Sequence, residues 1–309
     1  MLKVSLMKNL FFVPFAFDEN KCTGLNINTN ALETYLKNIC VSLISAKKTN
    51  TDLDVALVTN INIPTKYEKI LLENNVLIYI EPFDSFVFPD SYRWCLAFYK
   101  LCALEKMVTK YNYDNYIYTD ADVYVQKSLD KVFLELKDNI LLYDINHGLY
   151  VKNYEIIVEE FNRFGIDSYI THYGGEFFGA CRENAILFVD QCKKIFDDMQ
   201  AKDFVTTKGD EFILSIAAYK MKNIVKNAGA YIYRFWTGYF YLVSTCFKYN
   251  EIAILHLPYE KDKGILKLFD IFIKKQSFPE KSKVHKICHL NRMPIIIRIK
   301  CTLKEMLRK

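Results

Sequence analysis

The chain has 309 residues, 51% of them hydrophobic and 15% aromatic, which excludes wholesale disorder and suits one large α/β domain with an appendage. Its formal net charge of +5 is unevenly placed: residues 261–309 hold 14 of the 41 Lys and Arg but 4 of the 36 Asp and Glu, so residues 1–260 carry 27 basic and 32 acidic groups. Nine cysteines, an odd number without a CxxC pair, argue against a disulfide framework and a zinc site and fit a reducing, cytoplasmic compartment.

The N-terminal apolar run from Leu10 to Phe17 follows Lys3 and Lys8, contains Pro14 and ends at Asp18-Glu19. It is too short to span a bilayer and lacks the small residues of a cleavage site, so it reads as a buried parallel strand over 9–17 and not as a signal peptide. Asn30 then precedes a helical pattern in which Leu32, Tyr35, Leu36, Ile39, Leu43 and Ile44 recur mostly three and four residues apart. Strands are expected over 54–59 and 76–80, with a helix over about 66–74 between them. This βαβαβ order marks a parallel sheet covered by helices on both faces. A long helix over about 91–111, carrying Cys95 and Cys102 on one face, leads into a strand over 115–119. Beyond it, short strands at 140–144 and 175–180 alternate with helices over about 182–200 and 210–222, and a last apolar strand over 252–257 carries His256. No internal repeat or low-complexity linker interrupts the chain. The reading is therefore one α/β domain over residues 1–260 with a mixed, mostly parallel sheet, followed by a basic amphipathic extension over 261–309.

Asp120-Ala121-Asp122 is the strongest chemical motif. Two carboxylates at i and i+2 project to one side of an extended chain, and the C-terminal end of a strand is where open α/β sheets bind ligands. Such a pair offers hard oxygen ligands to Mg²⁺ or Mn²⁺, and that cation in turn bridges a diphosphate. Gly174, Gly175 and Gly179 would let backbone approach a ligand closely. Asp210 and Glu211 at a predicted helix start suit the positive end of the helix dipole, with or without a catalytic role. Arg93 beside Trp94 could meet a phosphate or a sugar, and Trp236, in an aromatic run with Tyr231, Tyr233 and Phe235, could stack on one.

The run Ala97-Phe98-Tyr99-Lys100-Leu101, then Tyr116-Ile117-Tyr118-Thr119-Asp120-Ala121-Asp122-Val123, resembles glycosyltransferase family 8, where Tyr-Arg-Leu precedes a strand and Asp-x-Asp. Lys100 stands where that family has arginine, which keeps the charge and loses the bidentate fork. Two further stretches, His172-Tyr173-Gly174-Gly175-Glu176-Phe177-Phe178-Gly179-Ala180 and Asp210-Glu211, are similar to family 6, the blood-group A and B transferases, and Phe15-Ala16-Phe17 resembles the turn where those enzymes grip the base of UDP. These short matches are spread over roughly residues 10–260.

The resemblance implies a GT-A fold that transfers a sugar from a nucleotide donor, UDP-linked, to a glycan or glycolipid of the kind used in surface polysaccharide or lipooligosaccharide synthesis. It implies Mn²⁺ or Mg²⁺ at Asp120, Asp122 and His256, neutral imidazole favouring Mn²⁺. Phe15, Ala16, Phe17, Arg93, Lys100, Asp120, Lys261 and Lys263 become candidate donor-binding residues; the Gly-x-x-Lys-Pro-Trp pattern that accompanies the lysine in family 8 is absent. Glu211, Asp210 and Glu176 become the candidates for chemistry on the sugar, with Glu211 facing the anomeric carbon and retention of configuration expected. An inverting route with Glu176 or Glu211 as general base stays open.

In the extension, Ile295, Ile296, Ile297 and Ile299 lie among Arg292, Arg298, Lys300, Lys304, Arg308 and Lys309. Such a segment suits the anionic inner face of a membrane, where each basic residue contributes on the order of 1 kcal/mol. Basic tails also bind nucleic acid non-specifically, but a lipid-linked acceptor fits a transferase better, and nucleic acid is not expected as a partner. Two rivals stand: a phosphate-transfer enzyme using the aspartate pair, and a non-catalytic binder of nucleotide-sugar or glycan on the same fold.

Overall fold

The computed structural model describes residues 7–18, 30–145, 154–167, 170–238, 247–290 and 295–307. Lys3, Glu19, Arg292, Arg308 and Lys309, named above, lie outside the described residues, as do the side chains of Ile297 and Arg298.

Four strands, β1 (Asn9–Phe15), β2 (Asp54–Thr59), β3 (Leu77–Ile80) and β4 (Asn115–Thr119), run parallel in the order β3-β2-β1-β4. The helices α1 (Ala31–Thr49), α2 (Thr65–Glu73) and α3 (Tyr99–Lys110) connect them, as the βαβ pattern requires. Asn30 caps α1, its side-chain oxygen accepting from the Glu33 N–H at 3.1 Å. After β4 the chain makes β5 (Val123–Val125), α4 (Asp130–Glu135), β6 (Ile140–Asp144) and α5 (Tyr154–Asn162). Next come β7 (Tyr173–Cys181), α6 (Arg182–Ala201), α7 (Asp210–Lys220) and β8 (Val225–Asn227). β7 enters the sheet antiparallel to both β4 and β6, and β8 lies parallel to β6, completing a seven-stranded mixed sheet. A second, three-stranded sheet has β5 antiparallel to β10 (Ile254–His256), which is parallel to β9 (Ile232–Arg234).

Alternation along β1 builds a core on each face of the large sheet. Phe11, Val13 and Phe15 join Leu36, Ile39 and Leu43 of α1, while Leu10 and Phe12 join Leu101 and Leu104 of α3 and Phe188 of α6. Burying each such side chain stabilises the fold by about 1.5–3 kcal/mol. The core continues past residue 260. Ile265, Leu268, Phe269 and Phe272 of α8 (Gly264–Lys275), Val284 of α9 (Lys281–Ile287), and Cys288 and Leu290 all belong to the cluster of β1 and α1. A domain limit at 260 therefore cuts through packed structure. Among the described residues after 260, α10 (Ile295–Met306) alone presents a row of exposed apolar side chains, Ile295, Ile296, Ile299, Leu303 and Met306, followed by Leu307.

The expected helix over 91–111 starts late: Cys95–Phe98 is a single 3₁₀ turn and the α-helix begins at Tyr99. Tertiary contacts override helical propensity there. The Tyr92 hydroxyl accepts from the Gly209 N–H at 3.0 Å, and the Arg93 guanidinium lies over the Trp94 ring. Cys40, Cys95, Cys102, Cys181, Cys192 and Cys288 are free thiols. Among the described residues no helix is long and apolar enough to cross a membrane.

Candidate metal centre

Strand β4 ends at Thr119 and the chain turns at once into β5, so Asp120 and Asp122 occupy the bend at the strand's C-terminal end. The bend is pinned on both sides. The Asp120 N–H donates to the Glu176 carbonyl of β7 at 3.1 Å, and the Leu257 N–H donates to the Asp122 carbonyl at 2.9 Å. The antiparallel register of β10 on β5 pairs His256 with Val123, which sets the imidazole beside the residue preceding Val123. A histidine more than 130 positions away in the chain is thus carried to the aspartate pair by one strand pairing.

Nε2 of His256 lies 3.4 Å from Asp122 Oδ2 and 3.8 Å from Asp120 Oδ2, and one ligand atom from each of the three residues falls within 4.8 Å of the others. Asp122 and His256 are buried, and Asp122 Oδ2 has no hydrogen-bond partner. Its charged neighbours, His256 Nε2 and Lys261 Nζ, meet this oxygen as ion pairs without hydrogen-bond geometry, which leaves it able to ligate a cation. Two carboxylates and an imidazole suit a divalent cation, so the residues present fit the expected metal.

Basic groups surround these ligands. Lys261 Nζ is 3.3 Å from Asp122 Oδ2, and Lys100 Nζ is 3.3 Å from Asp120 Oδ1 and 3.0 Å from Asp210 Oδ2. Burial raises the Asp122 carboxyl, but Lys261 and His256 outweigh it and hold the group well below the usual carboxylate range. Burial lowers the His256 imidazole, yet Asp122 and Glu176 outweigh that and lift it to about 9. Asp210 moves the other way: burial pushes it up to about 6 despite Lys100. In Lys100 the cost of burial is overcome by Asp120 and Asp210, so its pKa stands well above the usual lysine value.

A cavity of about 180 Å³ opens beside the pair, lined by Phe15, Ala16, Tyr35, Arg93, Trp94, Ala97, Lys100, Asp120, Asp122 and Lys261 among others. Most of the sequence candidates therefore meet in one place. Two do not line it. The Phe17 ring packs 6.2 Å from Phe15 while its N–H bonds Asn60 Oδ1, and Lys263 sits over the Tyr259 ring at 4.4 Å. Asp210 follows Gly209, whose φ of +67° favours glycine and where an added Cβ would crowd Trp94 at 3.3 Å.

Glu176 is fully buried, and its two oxygens accept from Nε and Nη2 of Arg234, both at 2.6 Å. Burial raises its carboxyl, but Arg234 and His256 together hold it well below the usual range. A group so enclosed suits neither contact with a sugar nor proton abstraction from an acceptor, which removes the physical basis for the general-base role left open to it. Glu211 keeps partial exposure, 3.2 Å from His172 Nε2 and 3.7 Å from Arg234 Nη2. Arg234, Tyr35 and His172 were not among the candidate site residues. Arg234 lay within the aromatic run around Trp236, and its guanidinium stands 5.8 Å from that ring. His172 opened the quoted glycine stretch, whereas nothing in the pattern around Tyr35 separated it from an ordinary helix-face tyrosine.

A comparison with solved structures matches mouse xyloside xylosyltransferase 1 in its apo form, with a TM-score of 0.51 and 11% identity, over 81% of this chain and 97% of that one. The two chains share a fold. With its mixed α/β sheet, the architecture is the GT-A type expected from the sequence. No family model matches the chain, and no curated protein does.

Proposed function

We propose that the chain is a metal-dependent glycosyltransferase that moves a sugar from a nucleotide-sugar, UDP-linked, to a glycan or glycolipid. One observation carries this reading: Asp120, Asp122 and His256 converge at the end of a central strand, beside a cavity with an aromatic wall and a basic rim. Phe15, Ala16 and Tyr35 form an apolar bed for a base, and Lys100, Lys261 and Arg93 supply positive charge where a diphosphate would lie. A divalent cation held by the three ligands, Mn²⁺ in preference to Mg²⁺, would neutralise the leaving diphosphate as a Lewis acid. Asp210, fixed by Lys100, and Glu211, between His172 and Arg234, are the carboxylates offered to the donor sugar and the reacting carbon. Retention is the expected outcome from the likeness of this stretch to families 6 and 8. Proton NMR of the product tests it, and a β-linkage from an α-linked donor would defeat it.

The deciding measurement is isothermal titration of UDP with and without Mn²⁺ on the native chain and on Asp122→Ala. Metal-dependent binding that disappears in the variant is the expected result. Absence of UDP binding under either condition would remove the donor assignment. Release of UDP from a UDP-sugar then separates an enzyme from a non-catalytic binder. The exposed isoleucines of α10, with Lys300 and Lys304 on the same helix, suit an anionic membrane on the cytoplasmic side. Deletion of 295–309 should abolish binding to vesicles containing an anionic phospholipid, and unchanged binding would sink that assignment.

A further inference from the structure

Glu176 faces two groups at once. Its Oε1 lies 3.4 Å from Nδ1 of His256, the ring nitrogen opposite the one that faces Asp120 and Asp122, and both oxygens take the fork of Arg234. Among the described residues it is the only carboxylate within 4.0 Å of that nitrogen. Space for it is reserved: a Cβ on Gly174 would lie 1.8 Å from Glu176 Oε2 and 2.7 Å from Ile145. A buried carboxylate in β7, enclosed by glycine on one side and by arginine and histidine on the other, has no route to a substrate atom.

The two nitrogens of an imidazole are coupled, since the partner of one decides whether the other is free to ligate. The 3.4 Å contact falls short of a formed hydrogen bond, and a carboxylate placed there to accept from Nδ1–H leaves Nε2 as the nitrogen that offers its lone pair to a cation and restrains the ring plane. The same carboxylate locks the Arg234 guanidinium, whose Nη2 then stands 3.7 Å from Glu211. We propose that Glu176 is a positioning residue that fixes His256 for the cation and aims Arg234 at Glu211, so that one buried carboxylate organises both walls of the site. The inference rests on the metal-dependent reading above and assigns Glu176 no contact with substrate.

The test is Glu176→Gln, nearly isosteric, with Arg234→Lys beside it, all shown folded by circular dichroism. Mn²⁺ alone is titrated into each protein and free Mn²⁺ is read by electron paramagnetic resonance. In parallel, ¹⁵N-histidine NMR of the metal-free proteins follows the ring nitrogens of His256. Loss of such a supporting partner typically weakens metal binding 10–100-fold, and that is the expectation for Glu176→Gln, together with altered His256 nitrogen shifts. Arg234→Lys, which leaves the carboxylate beside His256, should keep Mn²⁺ affinity within about threefold, well below that range of losses. A folded Glu176→Gln that binds Mn²⁺ like the native chain and leaves the His256 shifts unchanged overturns the proposal. Should the native chain bind no Mn²⁺, the metal reading fails by itself, and the nitrogen shifts still decide the contact between Glu176 and His256. If Glu176→Gln does not fold, Glu176→Asp keeps the charge for Arg234, shortens the reach to His256, and is held to the same expectation.

Discussion

Gly175→Ala probes the packing of the site without replacing a charged group. An added Cβ would lie 2.1 Å from Asp210 Oδ2 and 2.5 Å from Lys100 Nζ, both far inside contact distance. Gly175 sits in β7 at the register shift opposite Leu142 and Tyr143, between the paired residues Gly174 and Phe177, which limits how far its backbone can retreat. Asp210 is 3% exposed at the first turn of α7, which leaves its short side chain little room to swing. The backbone at 175 is not left-handed, so the substitution tests space alone. Overpacking costs about 1–3 kcal/mol and disrupting a buried ion pair about 3–5, so a loss of about 3 kcal/mol is expected. At roughly 2 °C per kcal/mol for a chain of this size, the melting midpoint falls by about 6 °C. Gly179→Ala on the same strand is the control. Its nearest neighbour is the Leu136 Cδ2 terminus at 3.0 Å, a side-chain end that can shift, and about 1 kcal/mol is expected. The assay is thermal unfolding by circular dichroism on the three proteins. Equal melting points for Gly175→Ala and the native chain, or equal losses at both glycines, would refute the argument.

Other consequences follow from charge and burial. Because His256 is lifted to about 9, it holds a proton at pH 7 that a cation must displace; Mn²⁺ affinity should rise about tenfold per pH unit up to that value, read by titration between pH 6.5 and 8.5. In the metal-free protein that raised value adds stability, about 3 kcal/mol, which is complete below pH 6.5 and lost as pH climbs through 9; chemical denaturation of the native chain against His256→Gln measures the difference. Asp210 has the opposite sense. Its carboxyl rises from 3.8 to about 6, so the unfolded chain ionises first, and stability falls as pH rises through that window. Asp210→Asn should therefore gain about 3 kcal/mol relative to the native chain between pH 4 and 7, and a pH-independent difference would contradict the burial argument. Phe272→Ala should cost about 3–5 kcal/mol in denaturant unfolding, as a core residue does, although it lies beyond residue 260.

What could be read from the sequence, and what could not, divides by the range of the interaction. The parallel half of the sheet was legible because each strand is a local apolar run and each helix a local period. Asn30 even announced the start of α1. The aspartate pair was legible because i and i+2 suffice to aim two carboxylates. By contrast, β5 and β9 are three-residue strands, defined by pairing with β10 and not by any run of their own. The basic composition after residue 260 suggested an appendage, yet α8 buries one face against α1 and turns Lys267, Lys274 and Lys275, three of the 14 basic residues of that stretch, to water. Net charge reports what a helix shows to water and says little about the stripe it hides.

Glu176 is the sharpest case. In sequence it is an acidic residue beside two glycines, and that pattern suited a catalytic carboxylate under a bound sugar. Its partners are Arg234, 58 positions on, and His256, 80 positions on, and both arrive through a second sheet that no local periodicity foretells. An ionised carboxylate buried this deeply survives in the fold only if charges of opposite sign meet it there. The prediction that would have found it is therefore one of pairing, that a glutamate buried in a central strand requires a cation from elsewhere in the chain. Arg234, among Tyr231, Tyr233 and Phe235, was the cation lying in an otherwise apolar stretch. A charge retained within such a stretch marks a buried partner as readily as it marks a ligand, and the two glycines, which clear space for Glu176 and for the Lys100–Asp210 pair, belong to the same requirement.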